Sequence, residues 1–281
     1  LVHGLAPNQA FWNLELVGTL AQQYPVTSFD LRGHGYSERP PSGYSPREMA
    51  TDLQALLDHL GIETAHLVGH SYGGLIALRL SIEAPPRVHS LTLADTRLRG
   101  IAPEQILPTQ PDWPELQTRL ARCGAPLDEN EPEIGMQLLD AISQPRWAAA
   151  RQRVAATGVF VPFAAQSGGG NRSANRWRKL LDETTAREDF LSDGGIPPAQ
   201  VAGLPMPVLL AFGERSPHMA SCRRFGELAP HSRTVVVSGG GHFHPASRAA
   251  AFAGHLGEFL GQIDRDRNNT PQTARGSKDT H

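Results

Sequence analysis

The chain has 281 residues, 40% of them apolar, enough to bury a sizeable core in one large domain or a domain carrying an insertion. Its 26 basic and 28 acidic side chains leave a formal net charge of −2, which excludes a global pull toward nucleic acid or an anionic membrane and favours a small-molecule partner. Cys123 and Cys222 stand far apart in no metal-binding spacing, so neither a disulfide framework nor a structural zinc is expected. Two reduced thiols, no apolar run of membrane-spanning length and no visible secretory signal fit a cytoplasmic location.

The chain opens without Met at Leu1-Val2-His3-Gly4, in what reads as the inside of a strand with a truncated start. Residues 8–24 place Phe11, Leu14, Leu16, Val17 and Leu20 near helical spacing, and Val26 to Phe29 forms a short strand candidate ending at Asp30. Ser45-Pro46-Arg47-Glu48 is a capping box with Pro at the first helical position, and Leu53, Leu56, Leu57 and Leu60 give that helix its apolar face up to Gly61. Ala65 to Val68 predicts a strand, Tyr72 to Glu83 a helix, and Ser90 to Ala94 a strand. This alternation is the signature of a mostly parallel, doubly wound α/β sheet.

Regularity breaks between residues 97 and 201, where prolines, amphipathic pieces (Pro114 to Arg122, Ile134 to Ile142) and the flexible-looking Ser167 to Asn171 suggest a helical cap inserted into the α/β core. The basic run Arg172, Arg176, Arg178 and Lys179 reads as a solvated helix face rather than a recruiter of acidic substrate. Val208 to Phe212, Ser221 to Ala229, Thr234 to Val237 and Arg248 to Leu260 then restore strand, helix, strand, helix. The expected division is therefore a core over residues 1–96 and 202–263, a cap over 97–201, and a polar, disordered tail over 264–281.

Gly69-His70-Ser71-Tyr72-Gly73 sits between a strand and a helix, the context required of a G-x-S-x-G nucleophile elbow. A strained turn there projects the Ser71 side chain off the sheet, small flanking residues let the backbones pass, and the helix N-terminus offers amides to a developing oxyanion. Downstream, Gly239-Gly240-Gly241-His242-Phe243 provides a base on a loop able to approach the elbow, with His244, followed by Pro245, as its near competitor.

Together with Leu-Val-His3-Gly4 and Phe29-Asp30-Leu31-Arg32-Gly33-His34-Gly35-Tyr36-Ser37, these segments resemble the α/β-hydrolase fold family over most of residues 1–262. The resemblance implies two further strands before Leu1, a catalytic Ser71 and His242, and oxyanion donors at the backbone N–H groups of Leu5 and Tyr72. His3 and His34 are expected to brace the oxyanion loop. Substrate contacts are placed at His3, Gly4, His70 and, under the cap, Trp113, Trp147 and Trp177, although the tryptophans could equally be core anchors.

The acid departs from the family pattern. Where members commonly read G-E-x-D, this chain reads Gly213-Glu214-Arg215-Ser216, and serine cannot supply the charge that stabilises an imidazolium. Asp95, following the strand that ends at Ala94, is the leading replacement, with Glu214 as the alternative. The implied activity is hydrolysis of a carboxylic ester or related acyl bond through an acyl-enzyme, without metal or organic cofactor. Two other readings stay open: a cofactor-free dioxygenase of the same fold using a His–Asp base, and a catalytically weak binding homologue. Oligomeric state is open.

Overall fold

The structure is a computed structural model that describes residues 1–12, 14–103, 113–122, 128, 134–155, 161–164, 169–192 and 195–269. A parallel sheet of β1 (Ala65–His70), β2 (Val88–Ala94), β3 (Val208–Gly213) and β4 (Arg233–Val237) forms in that spatial order. Val2 extends it by single parallel bridges to Gly69 and to Phe29, so the strand expected over Val26 to Phe29 reduces to one bridge.

Helices cover both faces because alternate strand side chains point opposite ways. On one side Leu67, Leu91, Leu93, Leu210 and Phe212 pack with α2 (Pro46–His59) and α3 (Tyr72–Glu83). On the other, Val68, Ala94, Leu209 and Ala211 pack with α1 (Leu14–Leu20) and with the last helix, Ala249–Asn269. The unbroken burial of β3 follows from this double coverage, whereas β4 is an edge strand with Val236 half exposed. At the start of α2 the capping box is formed: Glu48 N–H donates to Ser45 Oγ and Ser45 N–H to Glu48 Oε2. Leu60, expected on the apolar face of α2, is instead exposed, because it lies one residue past the helix end.

Between β2 and β3 the described residues hold α4 (Trp113–Arg122), α5 (Ile134–Ser143), α6 (Ala148–Ala155), α7 (Gly169–Glu183), α8 (Ala186–Leu191) and α9 (Pro198–Ala202). Two expectations change. Gly169, Gly170 and Asn171, read as part of a flexible stretch, open α7, while residues 165–168 lie outside the described set. After β3 come α10 (Met219–Leu228), the short α11 (His244–Ser247) and α12 (Ala249–Asn269), which runs past the expected start of a disordered tail at Asp264. Tyr24 OH donates to Asp264 Oδ2 at 2.6 Å, and Gln262 donates to Asp266 one turn on, so polar residues continue the helix through side-chain bonds the hydrophobic pattern does not show. Among the described residues no helix is long and apolar enough to cross a membrane.

Candidate active site

Ser71 caps α3 immediately after β1 with φ 54° and ψ −121°, a conformation disfavoured for a side-chain-bearing residue. Its surroundings enforce it. Ser71 N–H donates to Ala94 O at 3.0 Å, and a Cβ on Gly73 would collide with the carbonyl oxygens of Val2 and His3. The segment at His3 and Gly4 is close on the other side, since a Cβ on Gly4 would lie 3.0 Å from Ser71 Cβ and 3.1 Å from His70 Nδ1.

That segment is braced by histidines whose tautomers the contacts define. Leu31 N–H donates to His3 Nε2 at 3.0 Å, so His3 Nδ1 donates to Gly4 O at 2.7 Å. In the same way Ala6 N–H points to His34 Nε2 at 3.4 Å while His34 Nδ1 donates to Arg32 O at 3.0 Å. Burial pushes His3 down to about 3 and lowers His34 as well, so both stay neutral braces at ordinary pH. Among the described residues the Leu5 and Tyr72 N–H groups donate to no protein acceptor, which leaves them available to a ligand oxygen.

Asp95 follows β2 with φ 51° and is fully buried. Gly213 N–H donates to Oδ2 at 2.9 Å; Ser216 Oγ at 2.7 Å and His242 Nδ1 at 3.0 Å both donate to Oδ1. Burial is the largest influence on this carboxyl and pushes its pKa up, yet the His242 hydrogen bond and the nearby imidazoles of His242, His218 and His244 together bring it below the usual range. Asp95 is thus an anion held in one orientation against His242.

His242 lies beyond Gly239-Gly240-Gly241, its side chain 22% exposed and its carbonyl accepting from His70 Nε2 at 2.9 Å. His70 itself is buried against Phe11, with ring centroids 4.4 Å apart, and burial keeps it neutral. The competitor His244 is fully buried and commits Nε2 to Ala211 O at 3.1 Å, with that nitrogen 3.9 Å from Asp95 Oδ2.

Glu214 does not meet His242. Its exposed carboxylate accepts from Gly239 N–H at 2.7 Å and steadies the loop that carries the histidine. Trp147 packs with Ile134 in a separate small cluster, as a core anchor. Trp177 stacks on Phe190 with an interplanar angle of 2° and centroids 5.8 Å apart, joins the main core, and lines a cleft with Ala6, Pro7 and His34. A second, apolar hollow lies between Leu75, Leu98, Ile101 and Val201; neither cavity is lined by Ser71 or His242. The Trp113 side chain lies outside the described residues. Two residues were not singled out from the sequence as partners of this site. Ser216 donates to Asp95 while accepting from His218 N–H at 2.9 Å, and the His218 ring stands 4.9 Å from that of His242. Their position in the family's usual acid loop was the signal.

A family model for the alpha/beta hydrolase fold matches residues 1–246. The chain belongs to the α/β-hydrolase fold family. Among curated proteins it is 28% identical over 269 residues to RutD of Variovorax paradoxus, named as a candidate carbamate hydrolase, covering 94% of this chain and 91% of that protein. Among solved structures it resembles esterase RhEst1 from Rhodococcus sp. ECU1013, with TM-score 0.63 and 21% identity over 93% of this chain and 89% of that one. The enol-lactonase from Burkholderia xenovorans LB400 gives TM-score 0.61 and 20% identity, over 92% and 89% of the two chains. This α/β-hydrolase therefore has a relative named for carbamate hydrolysis and shares its fold with an esterase and an enol-lactonase.

Proposed function

We propose that the protein is a serine hydrolase that cleaves a carboxylic ester or related acyl bond of a small molecule through an acyl-enzyme. The observation that carries this reading is the 3.0 Å contact from His242 Nδ1 to an Asp95 fixed by two further donors. With Nδ1–H committed to Asp95, the Nε2 lone pair is the one left to take a proton. Ser71 Oγ attacks the acyl carbon as its proton passes to His242 Nε2, and buried, anionic Asp95 stabilises the imidazolium that forms. Negative charge developing on the carbonyl oxygen is met by the N–H groups of Leu5 and Tyr72, each worth about 3 kcal/mol of transition-state stabilisation in comparable sites. His242 then returns the proton to the leaving group, and the cycle repeats with water as nucleophile. His70 and Gly4 sit close enough to Ser71 to shape the acyl pocket.

Carbamates, lactones and esters, the bonds named for the similar proteins, all present a carbonyl carbon bearing a heteroatom leaving group, which agrees with this chemistry. An activated short-chain ester and a serine-reactive phosphonate test it. Turnover and labelling should both vanish in Ser71→Ala. Turnover of the true substrate that survives Ser71→Ala but is abolished in His242→Ala would replace the proposal with proton abstraction by the His–Asp pair, as in a cofactor-free dioxygenase.

A further inference from the structure

We propose that Asp95, His218 and His242 form an inhibitory site for a divalent transition-metal ion of the zinc class. His218 stands on the loop between β3 and α10 with its ring at 88° to that of His242. One ring nitrogen from each histidine and one Asp95 carboxylate oxygen lie within 4.8 Å of one another. Two imidazoles and a carboxylate suit Zn²⁺ or Cu²⁺, whereas Ca²⁺ and Mg²⁺ take oxygen ligands.

Metal–ligand bonds of about 2.0–2.2 Å hold neighbouring donors roughly 3–4 Å apart, so a modest closure of the triangle is required. The rings can supply it. The His242 side chain is 22% exposed and His218 is half-buried, so both can turn without opening a hole in the core. Their supports stay put, because Ser216 Oγ holds His218 N–H at 2.9 Å and Gly213 N–H holds Asp95 Oδ2 at 2.9 Å. The neighbouring imidazoles are committed elsewhere: His70 donates to His242 O and His244 to Ala211 O. Among the described residues the His218 ring makes no hydrogen bond, so coordination there breaks none.

Inhibition follows from the binding itself. The ion takes His242 through Nδ1, the ring nitrogen that faces Asp95 Oδ1 at 3.0 Å, which shifts the imidazole proton to Nε2, removes the lone pair that would accept the Ser71 proton and cuts the link to Asp95. Each imidazole binds as the neutral ring through a lone pair, so no covalent bond breaks and nothing is oxidised. The inhibitory consequence rests on the proposed hydrolase mechanism, whereas the binding itself does not.

The test separates the two. Calorimetry with ZnCl₂ on the intact chain should give one site, and Co²⁺ in its place should give the visible absorption of a low-coordinate nitrogen–oxygen site. His218→Gln should weaken both by at least about tenfold, a loss typical when a metal site is disturbed. Ester turnover in the wild type should fall over the same Zn²⁺ range and return with a chelator. Unchanged affinity in His218→Gln would overturn the site, placing the ion elsewhere, for example at His66 and His89, whose rings are 5.0 Å apart. Should the variant fail to fold, the zinc-edge absorption spectrum of the wild type decides: two imidazoles and a carboxylate support the site, and any other shell sinks it. Zinc binding at His218 without loss of turnover would overturn the inhibitory role alone. Binding in a protein that shows no ester turnover even when metal-free would count against the hydrolase reading and leave the site standing.

Discussion

Ser216 stands where family members commonly carry an acid, and its hydroxyl holds Asp95, the carboxylate proposed to act in its place. Because Oγ accepts from His218 N–H, its proton is directed to Asp95 Oδ1, the oxygen that also receives His242. Ser216→Ala removes a donor from a buried carboxylate and leaves an amide unpaired, an expected loss of about 1–3 kcal/mol of stability, read as a lower denaturant midpoint and accompanied by a fall in kcat as Asp95 loses one of its anchors. Ser216→Thr should retain most of the activity. Ser216→Asp, which restores the family residue, is expected to lower turnover rather than raise it, since two carboxylates in one buried site cannot both stay ionised. Asp95→Asn should cost about 10⁴-fold in kcat and Glu214→Gln far less, a comparison that names the acid kinetically.

At the level of elements, the Ser45 capping box is a local device with a local cost. Ser45→Ala is expected to remove about 1 kcal/mol, seen as a lower denaturant midpoint with unchanged slope. Tyr24→Phe should cost a similar amount by releasing Asp264 from the end of α12. These features differ in how far the sequence reveals them. The α3 limits and the core of each sheet strand follow from apolar runs bounded by turn residues, and Ser71 and His242 follow from a motif with a steric cause. Asp95 was reachable only as a carboxylate at the carboxyl end of a sheet strand that lies between Ser71 and His242 in sequence. The continuation of α12 through Asp264 and the turning-out of Leu60 depend on contacts with distant residues or on one residue of helix length, to which periodicity is blind. The Ser216 and His218 contacts arise where three separate loops converge, and spacing along one chain carries no record of that.

For the whole molecule, buried neutral histidines set the response to acid. His3 is lowered by burial to about 3 and His244 to about 4, against 6.5 in the unfolded chain. Between pH 6.5 and about 4 the unfolded state takes up protons that the native state refuses, so this stability is complete above 6.5 and is lost as pH falls. Denaturant melts across that range should show a falling midpoint, and replacing His244 with a non-ionising residue of similar size should flatten the slope; a flat wild-type profile would contradict the burial of these rings.

The fit of Gly73 beneath the carbonyls of Val2 and His3 has one more consequence. With no side chain between them, the segment at Val2 and His3 and the turn bearing Ser71 pack backbone against backbone. Exchanging the segment at Val2 and His3 for one of different backbone path is therefore expected to displace Ser71, read as a lower rate of the proposed reaction.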